Sequence, residues 1–355
     1  MAADSVDWTE PGIYQVAPGV HRMPLPLPMD GLKAVNVYVL ETDDGLTLID
    51  GGWAIPESRL LFEEGLANLG YRICDIRSFL VTHMHRDHYT QARAVGSMVG
   101  APVVLGIGEK PTFDLMSGET PLTEDPILTR LRLCGAESLA EQWRRLMPAE
   151  RPPMDTYGPP DQWLTEDTEI AVGRRRLQAL STPGHTQGHY VFADRAAGLL
   201  FAGDHVLPRI TPSIGFEPAF VQQPLGDFLD SLAKIRALPD LRLLPAHGPV
   251  TSSTHFRIDE LLEHHRVRLD QCAASVFAGR RTAWAVAADV PWTSRGKTRD
   301  ELGPFDVVLA AFETLAHLEL LVAQGRLGRG EAAGVVEFSP VDGPKCEPSK
   351  SLVSG

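Results

Sequence analysis

The 355-residue chain is poor in cysteine, in positive charge and in long apolar runs, and each shortage excludes something. Its four cysteines, Cys74, Cys134, Cys272 and Cys346, are scattered, with no CxxC pair. That excludes a dense disulfide framework and a CxxC-type thiolate zinc site. No apolar run approaches the ~20 residues that a membrane span needs. The N-terminal stretch lacks the basic start and apolar core of a secretory signal, so reduced thiols and a cytoplasmic location are expected. Lys and Arg total 33 against 46 Asp and Glu, a formal charge of −13. Such a balance disfavours generic binding to nucleic acid or to an anionic membrane. There is also no GxSxG elbow, so a serine nucleophile is not the economical reading.

What remains is an alternation of short β-rich runs and helices. Val35, Val37 and Val39 have strand period, and Asp44-Gly45 separates two runs as a hairpin turn does. A helix is predicted over 57–69, then a buried strand "IRSFLVTH", and "APVVLG" about a helix length later. Residues 106–165 break the alternation as an insertion. It carries two predicted helices, one with Ile127, Leu131 and Cys134 and one with Leu139, Trp143 and Leu146, before a Pro-rich loop. A second β series follows: "RLQALSTPGH", "HYVFAD", "GLLFAGD", a helix with Phe228, Leu232 and Ile235, and "LRLLPAHG". The expected fold class is α/β, a sandwich with polar residues at strand ends along one edge. Residues 1–252 form the expected catalytic domain. Residues 253–340 form a small module of three helices and a hairpin, resembling a winged helix. Residues 341–355 are an expected disordered tail.

The chemistry concentrates in "LVTHMHRDHYTQA". His83, His85, Asp87 and His88 follow the buried strand directly. In a strand-end loop, His83 and His85 can converge on one ion while Asp87 and His88 face a second. Imidazole and carboxylate together suit zinc, and also manganese or iron. A polar surface loop is the plain alternative. Three later residues weigh against it: His185 in "STPGHTQGH", Asp204 in "LLFAGDH" and His247 in "LLPAHGP". All sit at strand ends beside glycine, where the backbone can approach a ligand closely. Seven such ligands match what two four- to five-coordinate ions need, with a position left for water.

Here the chain resembles the metallo-β-lactamase superfamily: "HMHRDH" matches its HxHxDH pattern, and the later His, Asp and His follow in the family's order over roughly residues 12–250. The resemblance implies an αββα sandwich with a binuclear site. It implies one metal on His83, His85 and His185, another on Asp87, His88 and His247, and Asp204 bridging them. It also implies supporting roles for Asp50, in "LIDGG", and His189, in "HTQGH". A bridging aspartate, the stretch "GDHVLPRITPSIG" and the appended helices look more like the glyoxalase II-like proteins. The family often continues DHxGG. Here Thr90 stands in place of a glycine, which implies a pocket beside the metals that is narrowed or differently lined.

The expected activity is that of a metal-dependent hydrolase using two divalent ions, zinc foremost and Mn2+ or Fe2+ as alternatives. A shared water, its pKa lowered towards neutrality, attacks a small acyl substrate: a thioester, ester or lactone. Asp87 and Asp204 are the expected catalytic carboxylates. Three alternatives stand beside this reading: an RNA phosphodiesterase, a hydrolytic dehalogenase and a mononuclear iron persulfide dioxygenase. Tyr89, Trp143 and Arg209 are the substrate-contact candidates, Trp143 as the wall of a lid formed by the insertion and Arg209 as a grip for an anionic group. Residues 255–330 carry ten Arg/Lys and ten Asp/Glu, so the module is not expected to bind nucleic acid. A homodimer is the base-rate expectation for assembly.

Overall fold

The structure is a computed structural model that describes residues 7–28, 31–116, 125–146, 157–293 and 296–341. The expected tail beyond 341 and the ends of the two insertion helices' loops, 117–124 and 147–156, lie outside the described residues.

Two sheets pack face to face. The first holds β1 (Tyr14–Ala17), β2 (Val20–Pro26), β3 (Ala34–Thr42), β4 (Gly45–Ile49), β5 (Ile76–Leu80), β6 (Val103–Gly106) and β7 (Gln162–Leu164), side by side in chain order. β1 to β4 are antiparallel; β4 to β7 run parallel. The second sheet holds β8 (Thr168–Val172), β9 (Arg175–Ser181), β10 (Tyr190–Asp194), β11 (Leu199–Gly203) and β12 (Arg242–Pro245), with β11 and β12 parallel. β7 corrects the extent of the insertion expected over 106–165. Residues 162–164 pair with β6 and belong to the first sheet.

Strand β3 shows why the sequence folds this way. Its alternate residues Val35, Val37 and Val39 pack into one core, while Tyr38 and Leu40 pack into another. A period-two strand with both faces apolar must be covered on both sides. The Tyr38 side lies between the sheets with Leu80, Leu177, Phe192, Phe201 and Leu244. The Val37 side is covered by α1 (Pro56–Asn68) and α2 (Arg86–Val99), through Phe62, Leu66 and Val95. The second sheet repeats the scheme. Phe201 faces inward, and Leu200 faces a third core with α4 (Pro126–Leu133), α5 (Glu137–Leu146) and α6 (Pro224–Arg236). A short α3 (Lys110–Met116) precedes these helices. The layers are therefore α, β, β, α.

The chain then continues into α7 (Thr254–Phe277), α8 (Ala283–Val286), α9 (Pro304–Ala323) and the hairpin β13 (Leu327–Ala332) with β14 (Val335–Pro340). Val276, Phe312 and Phe338 share one continuous core with Leu200, Leu243 and Phe228 of the sandwich. Among the described residues no helix is long and apolar enough to cross a membrane.

Candidate metal centre

The strand ends named by the sequence meet at one edge. His83 and His85 follow β5, Asp50 follows β4, His185 follows β9, Asp204 follows β11 and His247 follows β12. Two glycines make the approach possible. Gly184 has φ 137°, and a Cβ there would sit 2.4 Å from Phe228 Cβ on α6. Gly203, at φ 52°, would drive a Cβ within 2.7 Å of both Thr82 and His189. Only glycine tolerates both the backbone angle and the contact. The strand-end loop expected to carry all of "HMHRDH" is shorter than that. His85 is the N-cap of α2, so Asp87 and His88 lie in the helix's first turn and are held rigidly there.

The donors fall into two groups, His83, His85, His185 with Asp204, and Asp87, His88 with His247; within each group one ligand atom per residue lies within 4.8 Å of the others. In the first, His85 Nδ1 stands 2.9 Å from His83 Nε2 and 3.1 Å from His185 Nε2. In the second, His247 Nε2 stands 3.4 Å from Asp87 Oδ2, and His88 Nε2 stands 3.5 Å from the same oxygen. Asp204 serves both: Oδ2 lies 3.4 Å from His185 Nε2, and Oδ1 lies 3.3 Å from His247 and 3.7 Å from His88.

The far nitrogen of each imidazole explains the arrangement. His185 Nδ1–H donates to Ser213 O at 2.8 Å, and His247 Nδ1–H donates to Ala34 O at 2.8 Å. His88 Nδ1–H donates to Asp50 Oδ2 at 2.9 Å. Asp50 also accepts from Thr82 N at 2.8 Å and Thr82 Oγ1 at 3.0 Å, so the Thr82 hydroxyl is left to accept from His83 Nδ1 at 3.1 Å. Each of these rings therefore turns a bare Nε2 lone pair inward. His189 supports the aspartate: its Nε2 accepts from Asp204 N at 3.1 Å, which leaves Nδ1–H to donate to Thr182 Oγ1 at 2.9 Å. The structure therefore brings both Asp50 and His189 up against donor-bearing residues. The His247 loop is tied down by Asn36, whose amide donates to Pro245 O at 3.0 Å and Gly248 O at 2.9 Å.

Burial and the neighbouring imidazoles push His83 well below its ordinary pKa and take His85 down to about 3. Burial also opposes charge on His88, but Asp87, Asp50 and Asp204 outweigh it and raise that ring to about 9. His247 is raised in the same way by Asp204 and Asp87. The Nε2 atoms of His88 and His247 and the Oδ1 of Asp204 are buried, and no hydrogen bond satisfies any of them. Asp87 and Asp204 thus draw positive charge to the inward nitrogens of His88 and His247, as a proton in the metal-free protein or as a cation between the donors. The residues present therefore fit divalent metal ions.

Not every expected site residue arrives here. Tyr89 is fully buried: its hydroxyl donates to Gly158 O at 2.6 Å and its ring packs on Phe113. One further residue along α2 rotates the side chain about 100°, away from the donors and into the core. Trp143 is buried in the helical layer, its ring 6.2 Å from Phe305. Leu146, at the end of α5, lines a separate cleft of about 540 Å³ with Trp284 and Arg299. Arg209 is exposed on the loop after β11. Thr90 is buried. Its hydroxyl donates to Arg86 O at 2.5 Å and accepts from Ala54 N at 2.9 Å, tying α2 to the loop after β4. Arg174 and Arg176 make exposed pairs with Asp43 and Glu169, while Arg175 reaches the buried Asp194.

Other neighbours have no sequence signature. Arg86 stacks on Trp53 at 4.3 Å beside Asp87. Glu109, fully buried, accepts from Thr186 Oγ1 at 2.6 Å and Met84 N at 3.4 Å, so it touches both histidine-bearing segments from behind. Glu217 accepts from Gln187 N on the same side.

Fold and donors together define a metal-site hydrolase architecture, and comparison with known proteins agrees. The description "Metallo-beta-lactamase superfamily" matches residues 30–247, and the chain belongs to that superfamily. It is similar to a Beta-lactamase-like protein 2 homolog of Drosophila melanogaster, 26% identical over 85% of this chain and 87% of that one. The Caenorhabditis elegans protein of the same name is 30% identical over 38% of this chain and only 44% of its own length. A hydroxyacylglutathione hydrolase of Bartonella henselae is 36% identical over 33% of this chain and 44% of that one. Among solved structures, a metallo-beta-lactamase family protein of Thermus thermophilus superposes with a TM-score of 0.74 at 29% identity, covering 92% of this chain and 100% of that one.

Proposed function

We propose that the chain is a binuclear hydrolase of small acyl compounds, with thioesters, esters and lactones as the substrate class. The observation that carries this reading is Asp204, whose two oxygens face the two donor groups separately. A carboxylate placed in that way is suited to bridging two ions. His83, His85 and His185 would hold one and Asp87, His88 and His247 the other. Nitrogen and oxygen donors without thiolate favour zinc, with manganese or iron as alternatives. Two bound ions would supply Lewis acidity at the scissile carbonyl and a water acidified to serve as nucleophile at neutral pH.

The chain's own residues do the rest. Asp87 would accept a hydrogen bond from the incoming nucleophile and aim it. Asp50, Thr82, Ser213 O and Ala34 O fix the imidazole tautomers, so no reorganisation is needed at the moment of reaction. His189 holds the Asp204 backbone in place. The likeness to a hydroxyacylglutathione hydrolase supports a thioester. The charge of −13 weighs against an RNA phosphodiester. A mononuclear iron centre would leave Asp87, His88 and His247 without a role.

The test is a hydrolysis screen of thioesters, esters, lactones and single-stranded RNA with wild type and Asp204→Asn. Turnover of an acyl substrate that falls at least ~10²-fold in the variant is expected. RNA cleavage without acyl turnover overturns the reading, as does an unchanged rate in Asp204→Asn.

A further inference from the structure

A second cluster of metal-capable groups lies far along the chain from the first. The buried stripe of α7 runs Ile258, Leu261, Leu269, Cys272, Val276, as an amphipathic helix should, but His265 and Arg268 interrupt it. His265 is fully buried, and so is His317 opposite it on α9. The two rings stack with centroids 5.2 Å apart.

Their hydrogen bonds fix the protons. His317 Nδ1 lies 2.7 Å from Glu313 O, a carbonyl, so Nδ1 carries the hydrogen and donates. His317 Nε2 is then a bare acceptor, and His265 Nδ1–H donates to it at 3.1 Å. The relay leaves His265 Nε2 as a lone pair with no donor, buried and without a partner. His264 Nε2 is likewise buried and unpartnered, and the two rings meet edge to face at 5.1 Å. A Glu313 oxygen completes the group, with one ligand atom from each of the three within 4.8 Å of the others.

We propose that His264, His265 and Glu313 form a third metal site, of the zinc type, which staples α7 to α9 independently of the centre at the sandwich edge. Two imidazoles and a carboxylate are a sufficient protein ligand set for a tetrahedral ion, water filling the fourth position. The backing of His265 by His317 and a backbone carbonyl is the kind of relay that orients metal-bound histidines. Burial holds His264 and His265 neutral, the form that binds metal. Arg268, stacked on Trp292 at 4.6 Å, adds to that effect; burial raises the Glu313 carboxyl and Arg268 offsets this only in part, so an arriving cation displaces the Glu313 proton. The Arg268 charge also opposes the cation, so this site binds more weakly than the main centre and empties first on dialysis against chelator.

The test uses the full chain loaded with zinc. An anomalous difference map at the zinc edge should show a peak between α7 and α9, ~2.0–2.2 Å from its nitrogen and oxygen ligands. His264→Gln, at a half-buried position, should lower zinc by one ion per chain, keep the rate of acyl hydrolysis, and lose the zinc-dependent part of the melting temperature while melting like wild type in chelator. No peak between the helices overturns the proposal. Equal zinc content in wild type and His264→Gln also overturns it. So does a protonated Glu313 bonded to His265 Nε2 in the loaded crystal.

Discussion

Asp50 Oδ2 lies 2.9 Å from His88 Nδ1, and this contact decides which nitrogen of His88 faces the donors. Asp50 holds a left-handed backbone angle, φ 62°, that non-glycine residues adopt at a cost. Such strain persists where the side chain's bonds over-determine it, and here three donors converge on one carboxylate. Asn tolerates the same backbone but has a single acceptor oxygen. Asp50→Asn is expected to keep the fold while weakening metal affinity and kcat/KM by about 10–100-fold. Chelator competition and steady-state kinetics measure both. Values within threefold of wild type would remove Asp50 from the site.

Tyr89 lies next to His88 in sequence, and its hydroxyl bonds to Gly158 O instead of facing substrate. Tyr89→Phe should cost about 1 kcal/mol of stability and leave kcat/KM nearly unchanged. A tenfold fall in kcat/KM at unchanged stability would return Tyr89 to the substrate pocket.

The Glu109 and Glu217 carboxyls set a pH dependence. Burial, with the Glu217 carboxylate nearby, pushes Glu109 up to about 8; burial pushes Glu217 up to about 7. A carboxyl raised above its ordinary 4.5 contributes stability that is fully present below pH 4.5 and lost as pH rises through its folded value. Wild type should therefore lose stability between pH 5 and 9. Glu109→Gln, which cannot ionise, should lose less. Urea midpoints at the two pH values decide it, and parallel losses in both proteins would contradict the account.

The described cysteines should differ in reactivity. Cys74 is exposed, whereas burial pushes Cys134 and Cys272 up to about 12. At pH 8 a thiol reagent should modify Cys74 and reach Cys134 and Cys272 only in denaturant. Peptide mapping by mass spectrometry reads this directly. Rapid native labelling of either buried thiol would show that the helical layer opens.

The fold was legible where a pattern has one physical meaning. Val35, Val37 and Val39 recur at every second position because they share the face of β3 that packs under α1 and α2, and Pro304 opens α9 as a first-turn proline does. The seven donors were legible because few roles other than metal binding bring histidine and aspartate to successive strand ends. Positions set by tertiary contact alone were not. Glu109 in "GIGEK" and Glu217 in "GFEPA" are single carboxylates whose burial depends on distant segments. Tyr89 was misplaced because sequence adjacency ignores the helical rotation that separates it from His88. The role of His265 needed the partner helix, since a histidine in an apolar stripe looks the same whether it is packed or ligating.

Asp204 is placed to hold one ion on each side. The most direct measurement counts metal per chain in protein purified without added metal, in the His264→Gln background that removes the third candidate site. Two ions per chain are predicted, falling to one or none in Asp204→Ala together with loss of acyl hydrolysis. One ion per chain with full hydrolytic activity, or hydrolysis that survives Asp204→Ala, would contradict it.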